Sequence, residues 1–214
     1  MWTGGSKIAD YDSRRLHEVD IEYGMNLSFT GYAWDLHSMS PDVKMYDQEK
    51  IGFFTARIPV MDPSGKEEIF SVFTIDTSAE YCQDYGLPGE SCASSDGINW
   101  LYNQLRVYSP YESKRDIIFI HKPIQEFMNL ANLYDISGHK QQAIGCQAIN
   151  TGLYATALEK GRVVWINAGN DADNDFSGRY NDEMMFSYSR KSGYGGVGDL
   201  PRGARIFKLT VDRD

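Results

Sequence analysis

Cysteine is scarce in this sequence: three among 214 residues, at Cys82, Cys92 and Cys146. So small and odd a number is not a disulfide framework, and no C-x-x-C or clustered Cys/His spacing offers a zinc site. Cys82 and Cys92 flank a Gly/Pro loop and could pair in an oxidising compartment. A reduced intracellular chain, or an organellar one after removal of a targeting segment, explains the count as well. Long apolar runs are also missing. The longest, such as Val163-Val164-Trp165-Ile166, fall far short of the ~20 residues that cross a bilayer, and Met1-Trp2-Thr3-Gly4-Gly5-Ser6 lacks the basic-then-apolar order of a secretory signal. Positive charge is in deficit: 21 Lys and Arg face 30 Asp and Glu, a net charge of −9. Such a surface repels phosphate backbones and anionic lipid, which argues against nucleic acid as a partner and against membrane docking or insertion.

What the chain does have is aromatic mass, with 10 Phe, 14 Tyr and 4 Trp. With 42% apolar and 24% charged residues it is a globular chain rather than a disordered one. Residues 1–50 read as an extended polar and aromatic N-terminal segment. Within it, Ser13 can cap a short helix bearing Leu16 and Val19 on one face, and Asn26 to Asp47 is a loop whose Phe29, Tyr32 and Trp34 pack on something. Residues 51–214 carry stronger signals. Ile51–Val60 and Ile69–Ile75 form a hairpin joined by Met61-Asp62-Pro63-Ser64-Gly65-Lys66. Asp96 caps a helix with Ile98, Leu101, Tyr102 and Leu105 at helical spacing. Ile117-Ile118-Phe119-Ile120 is continuous and apolar, as in a strand covered on both faces. Pro123 opens a helix with Ile124, Phe127 and Met128, and Leu153–Leu158 forms another that stops at Gly161. Strands follow at Arg162–Ile166, Met184–Tyr188 and Ala204–Val211. The order predicts an α/β fold with a mixed sheet.

Two strand ends hold the candidate chemistry. His121 ends the strand Ile117–Ile120, the place where open α/β sheets bind ligands; it can ligate a metal or simply finish the strand. Gly169-Asn170-Asp171-Ala172-Asp173-Asn174-Asp175-Phe176 follows the strand Arg162–Ile166. Its alternating Asp and Asn suggest a Ca²⁺ loop, but counting from Asp171 the positions that need Gly and Glu hold Phe176 and Asp182, and Asp and Asn are good turn formers in their own right. The loop Gly193-Tyr194-Gly195-Gly196-Val197-Gly198 lacks the phosphate-loop signature and is better read as a turn between strands. Arg202 and Arg205 can touch phosphate or be surface charges.

Together, Ile118–Phe127, Asn150-Thr151-Gly152-Leu153, Gly169–Phe176 and Lys191–Gly196 with Leu200–Arg205 resemble the C-terminal half of a calcineurin-like metallophosphoesterase, of the purple-acid-phosphatase-29-like branch. Phe73-Thr74-Ile75-Asp76-Thr77-Ser78 fits that family's strand ending in Asp-Ser. The resemblance covers about residues 50–210 and implies the second half of a β-sandwich flanked by helices. It also implies two metal ions, divalent or of the Fe/Zn/Mn type, that polarise a phosphate and supply hydroxide. This sequence departs from that pattern twice. The early ligand motifs, Asp-x-His, Gly-Asp and Gly-Asn-His, do not occur; the chain is expected to begin just after them, with Tyr11–Tyr23 fitting the helix that follows. The late Gly-His-x-His motif reads Gly169-Asn170-Asp171-Ala172. The resemblance therefore implies a vestigial metal site of His121, Asn170 and Ala172, with no catalytic residue and no resident cofactor. Asn150, Gly193, Gly195, Gly196 and Arg202 are left as a phosphate-binding or structural loop.

The expectation is a catalytically inactive metallophosphoesterase-like chain that works with other protein subunits. The alternative is one chain of a split metal-dependent phosphomonoesterase, completed by a partner supplying the N-terminal half. A weaker reading is a carbohydrate or small-ligand module that uses the aromatics.

Overall fold

A computed structural model describes residues 13–24, 51–52, 54–77, 82, 85–87, 90–107, 116–159, 162–193 and 197–210. In chain order these form α1 (Ser13–Gly24), β1 (Ala56–Met61), β2 (Glu68–Ile75), α2 (Ser95–Val107), β3 (Asp116–Ile120), α3 (Glu126–Leu133), α4 (Leu153–Glu159), β4 (Val163–Ala168), β5 (Ser177–Tyr180) and β6 (Met184–Tyr188). The strands make one six-stranded sheet in the order β1-β2-β3-β4-β6-β5. Its centre, β2 to β3 to β4 to β6, is parallel, and antiparallel β1 and β5 close the two edges. This is the expected α/β architecture with a mixed sheet.

Strand order advances across the sheet in one direction from β2 to β6. Crossovers of one hand then lay their helices on one face, and the core shows this. Phe73, Ile118, Ile166 and Phe186 stand in register across four strands and share a buried cluster with Leu101 and Leu105 of α2, Phe127 and Leu130 of α3, and Leu153 and Ala157 of α4. Phe127 stacks on Phe186 at 4.9 Å, and Trp100 meets Phe73 edge-on at 6.1 Å. Burying aromatics of this size contributes roughly 1.5–3 kcal/mol each.

The opposite face alternates with the first. Trp165, Asn167 and Ser187 point there, and their polar atoms join: Trp165 Nε1 donates to Ser187 Oγ at 2.7 Å, and Ser187 Oγ donates to Asn167 Oδ1 at 2.8 Å. Residues 203–207 cross this face as an extended strap. Gly203, Arg205 and Phe207 turn inward and Ala204 and Ile206 outward, and Phe207 packs on Phe119 at 5.3 Å and Trp165 at 5.1 Å. The strand expected at Ala204–Val211 is corrected by this: its described part, 204–210, alternates with period two only as far as Lys208 and has no ladder, because it lies over a face instead of along an edge.

Other boundaries shift for local reasons. The first hairpin strand begins at Ala56, not Ile51, since Gly52 adopts φ +111° and Thr55 turns back to donate to Ile51 O at 2.8 Å. Asp62 knits the hairpin loop by accepting from Ser64, Lys66 and Glu67, which holds its carboxyl down at about 2. The cap of α2 is Ser94 rather than Asp96: Ser94 Oγ accepts from Gly97 N at 2.8 Å. Gly97 must be glycine, because a Cβ would come within 2.6 Å of Ile51 O. Pro123 stands ahead of α3 instead of in its first turn; Gln125 is the cap residue. In α1 His17 is buried and meets the Phe54 ring at 5.8 Å, while Val19 is exposed. Phe29, Tyr32 and Trp34 lie outside the described residues, as do Gly195 and Gly196.

Candidate functional site

Parallel strands put their carboxyl ends on one side of the sheet, where the following loops form a crevice. Here β3 ends at His121, β4 at Gly169 and β6 at Ser189 and Arg190. A cavity of about 380 Å³ opens between them, lined by His121, Asn167, Ser189, Arg190, Arg205 and Phe207 among others, with no carboxylate among the described residues of its lining. The strap supplies its far wall.

His121 is half-buried and its carbonyl accepts from Gly169 N at 2.9 Å, which ties β3 to β4 where both strands end. The Gly169 Cα offers only hydrogen to the imidazole; a Cβ there would lie 3.5 Å from His121 Nδ1. Burial lowers the His121 pKa, opposed by Asp171 and reinforced by Lys122. Asn167 Nδ2 donates to Ser189 Oγ at 2.7 Å.

The Asp/Asn loop after β4 is spent on structure. Asp171 is buried and accepts from Gly145 N at 3.0 Å and Tyr188 Oη at 2.6 Å. Asn174 accepts from Gln141 N and Gln142 N. Asp173 takes Leu200 N at 3.0 Å and Lys191 Nζ at 3.3 Å. Asp175 pairs with Arg190 and accepts from His139 N. One acidic segment thus clamps the loop 138–145, the segment 190–191 and the start of the strap. Asn170 sits at φ +69°, a conformation asparagine tolerates, and its side chain donates to Asp171 Oδ1 at 2.9 Å. Ala172, like Asn170, does not line the cavity.

The remaining sequence candidates disperse. Asn150 Oδ1 accepts from Gly152 N at 2.9 Å and its amide donates to Glu126 Oε1, which shapes the entry to α4. Arg202 Nε donates to Gly193 O at 2.8 Å and closes the glycine loop on itself. Arg205, which sequence left as a phosphate contact or a surface charge, is half-buried at the cavity wall: Nε donates to Tyr188 O at 2.6 Å and Nη2 to Asp175 O at 2.9 Å. Burial lowers its pKa, opposed by Asp175 and reinforced by Arg190.

Two features escaped the sequence reading. Gln147, 3% exposed, accepts from Ala93 N and donates to Lys122 O, while its own carbonyl accepts from Gln125 Nε2. It pins the end of β3 to the loop before α2, and nothing in its sequence surroundings marks it. Cys82 and Cys92 are disulfide-bonded and fully buried against Leu87 and Ile149, so the pairing that the sequence left open is made.

For the two-metal centre implied by the resemblance, the donor set of the described residues does not fit. The cavity offers one imidazole beside two guanidiniums, and among the described residues no group of three or more His, Cys, Asp and Glu converges. Transition metals want several imidazole or carboxylate donors, and cations repel them.

A search of curated proteins finds a distant relative from Arabidopsis thaliana named "Probable inactive purple acid phosphatase 14". It is 23% identical over 223 residues, which cover 95% of this chain and 53% of the relative. The chain therefore spans about half the length of the curated relative it matches. No family model matches the chain. No solved structure matches it. The likeness supports kinship with purple-acid-phosphatase-like, metallophosphoesterase-like proteins.

Proposed function

We propose that this chain is a metallophosphoesterase-like half domain with degenerate metal ligands, which hydrolyses no phosphomonoester and serves as a structural or interaction subunit. The observation that carries this reading is the fate of the Gly169–Phe176 loop. In the pattern it resembles, this loop sends two imidazoles to the metals. Here Asn170 turns to Asp171, Ala172 has nothing to offer, and Asp171, Asp173, Asn174 and Asp175 are consumed in fastening neighbouring loops. His121 alone stands at the cavity. The name of the Arabidopsis relative, which includes "inactive", points the same way for that protein.

The partners in this proposal are other protein subunits, among them a chain able to supply the first half of the fold. The test is turnover of p-nitrophenyl phosphate with added Mn²⁺, Fe²⁺ or Zn²⁺, together with metal analysis of the complex purified from its native source. The expected result is no metal-dependent turnover and no stoichiometric metal. Turnover that disappears in His121→Ala would sink the proposal in favour of a split enzyme.

A further inference from the structure

The strap and the residues that continue it, 204–210, make a strand without a sheet. The segment Ala-Arg-Ile-Phe-Lys-Leu-Thr holds the β-branched and aromatic residues that favour extended chain. Among the described residues, none donates to or accepts from a main-chain group of 204–210. The last main-chain bond is the one at the strap's start, Gly203 N to Lys191 O at 3.0 Å. Beyond it the anchors are side chains: Arg205 on the Tyr188 and Asp175 carbonyls, and Phe207 on Phe119 and Trp165. A solvated loop would also leave its main chain unpaired. It would not pin itself straight by two side chains while holding Ile206 outward and 90% exposed. An extended segment with open N–H and C=O groups is a template for another strand.

Charge and the floor beneath say what kind of strand fits. From Pro201 to Thr210 the chain carries Arg202, Arg205 and Lys208 and no acid, within a protein of net charge −9. Across a strand pair, opposite charges stabilise and like charges oppose. A second copy would set one cationic strap against another, whereas an acidic strand complements it. On the face the strap crosses, Ile58, Val72, Ile117, Trp165 and Met185 stand in register across five strands, and all but Ile117 are only half-buried. A strand laid beside the strap rests on this row, so its inward residues are apolar and its carboxylates point outward, beside Lys208.

We infer that residues 204–210 are a strand-addition site, where an extended acidic segment of another protein, alternating carboxylates with apolar residues, pairs main chain to main chain with the strap. The inference deepens the reading of this chain as an interaction subunit and rests on it. Pairing gives the strap the ladder it lacks and covers Ile206.

The test is calorimetric titration of the whole chain with a short synthetic peptide of alternating Glu and Val, against one of alternating Lys and Val, with hydrogen exchange of the main-chain amides read in parallel. In the free chain the amides of 204–210 should exchange nearly as fast as in unstructured peptide. The Glu-Val peptide should bind at one saturable site and protect them; the Lys-Val peptide should not bind. The double variant Ile206→Pro/Leu209→Pro removes one N–H from each edge of the strap, since successive odd and even residues face opposite edges, and it should abolish binding. Both positions are exposed and extended, so the thermal midpoint should be retained. Lys208→Glu, which leaves the main chain alone, should weaken binding roughly fivefold, and Arg106→Glu, an exposed charge at the end of α2, should leave it unchanged. Amides already protected in the free chain, no saturable binding, equal binding of the two peptides, or binding untouched by both strap variants would each overturn the inference. So would a concentration-dependent dimer that protects the same amides, which would make a second copy the occupant. Metal-dependent turnover in the separate assay would overturn the functional proposal and leave strand addition to the exchange data, whereas a failed titration without turnover would overturn strand addition and leave the inactive reading standing.

Discussion

The two ends of the parallel strands treat charge in opposite ways. At the amino end of β3 and β4, Arg57, Glu68, Asp116 and Arg162 form a sealed cluster. Arg162 Nε lies 2.9 Å from Asp116 Oδ2, Ser71 N donates to Asp116 Oδ1 at 2.8 Å, and Arg57 reaches Ser71 Oγ at 2.9 Å and pairs with Glu68. Arg57, Asp116 and Arg162 are each 5% exposed or less. Two cations meet two anions, and the charges close on themselves. At the carboxyl end Arg190 pairs with Asp175, while Arg205 on the strap is held by the Tyr188 and Asp175 carbonyl oxygens beside an open crevice. The fold therefore closes its charges on one another at the sealed end and holds Arg205 by carbonyl oxygens at the end where a strand-end crevice faces solvent.

The sharpest way to break the contrast is Asp116→Ala. Burial raises the Asp116 pKa, against hydrogen bonds from Ser71 and the charge of Arg162, and removing the carboxylate strands Arg162 in the interior. A loss of about 3–5 kcal/mol is expected, measured by urea unfolding. A loss below ~1 kcal/mol would mean that the cluster is solvated and the contrast is not real.

Next in size is the disulfide. Replacing Cys82 and Cys92 with serine frees the loop between β2 and α2 and should cost about 2–3 kcal/mol by loop-closure entropy. The carboxyl end would then be shown to owe its order to a covalent staple and to the Gln147 clamp rather than to charge. An unchanged thermal midpoint would refute that.

Asp175→Asn is the counterpart of Asp116→Ala at the open end. Although burial works against it, the hydrogen bond and charge of Arg190 and the approach of His139 hold the Asp175 carboxyl below its ordinary value. The site is only half-buried, so the expected loss is about 1–2 kcal/mol. Equal losses at Asp116 and Asp175 would erase the distinction between the two ends.

The smallest effect is one of pH. Burial lowers the folded-state pKa of both His17 and His121. A base whose folded pKa is depressed takes up protons more readily when unfolded, so stability falls as pH drops below the ordinary histidine value near 6.5, and the loss stops growing below the depressed folded value. Thermal midpoints of wild type, His17→Phe and His121→Gln between pH 7.5 and 5 check this; each variant should flatten part of the slope. A slope of the opposite sign would show that Asp20 and Glu18 beside His17, and Asp171 beside His121, outweigh desolvation.

How much of this was legible in the sequence follows from which signals are local. Ile117–Ile120 reads as a covered strand because its apolar character is continuous, and α2 reads as a helix because its apolar positions recur at helical spacing. Strand β5 was missed: it is four residues, with a glycine and an arginine. Its signal was the turn that follows, where Asn181 and Asp182 at φ +51° and +55° make the tight hairpin of mirrored turns, the usual reason for such residues between strands. The strap misled because alternation is a property of extended chain, whether or not a ladder forms. Of the site, His121 was visible from its strand-end position. The pairing of Arg190 with Arg205 was not, since a glycine-rich excursion separates them in sequence and only the strap returns one beside the other. The cluster of Arg57, Glu68, Asp116 and Arg162 draws on three strands and the residue that precedes β4, and no spacing rule reports it.

The run of parallel neighbours from β2 to β6 also has a consequence for the time the chain takes to reach this state. A parallel pair cannot zip from a tight turn; each strand must wait for an intervening crossover to close, and loop closure is lost entropy before any ladder repays it. β3 is the most exposed to this delay, since both its neighbours arrive through crossovers and its apolar residues stay uncovered meanwhile. Refolding is therefore expected on the slow side of the millisecond-to-second range for domains of this size, with the strap among the last segments to settle, because the face it crosses does not exist until β3 and β4 have joined.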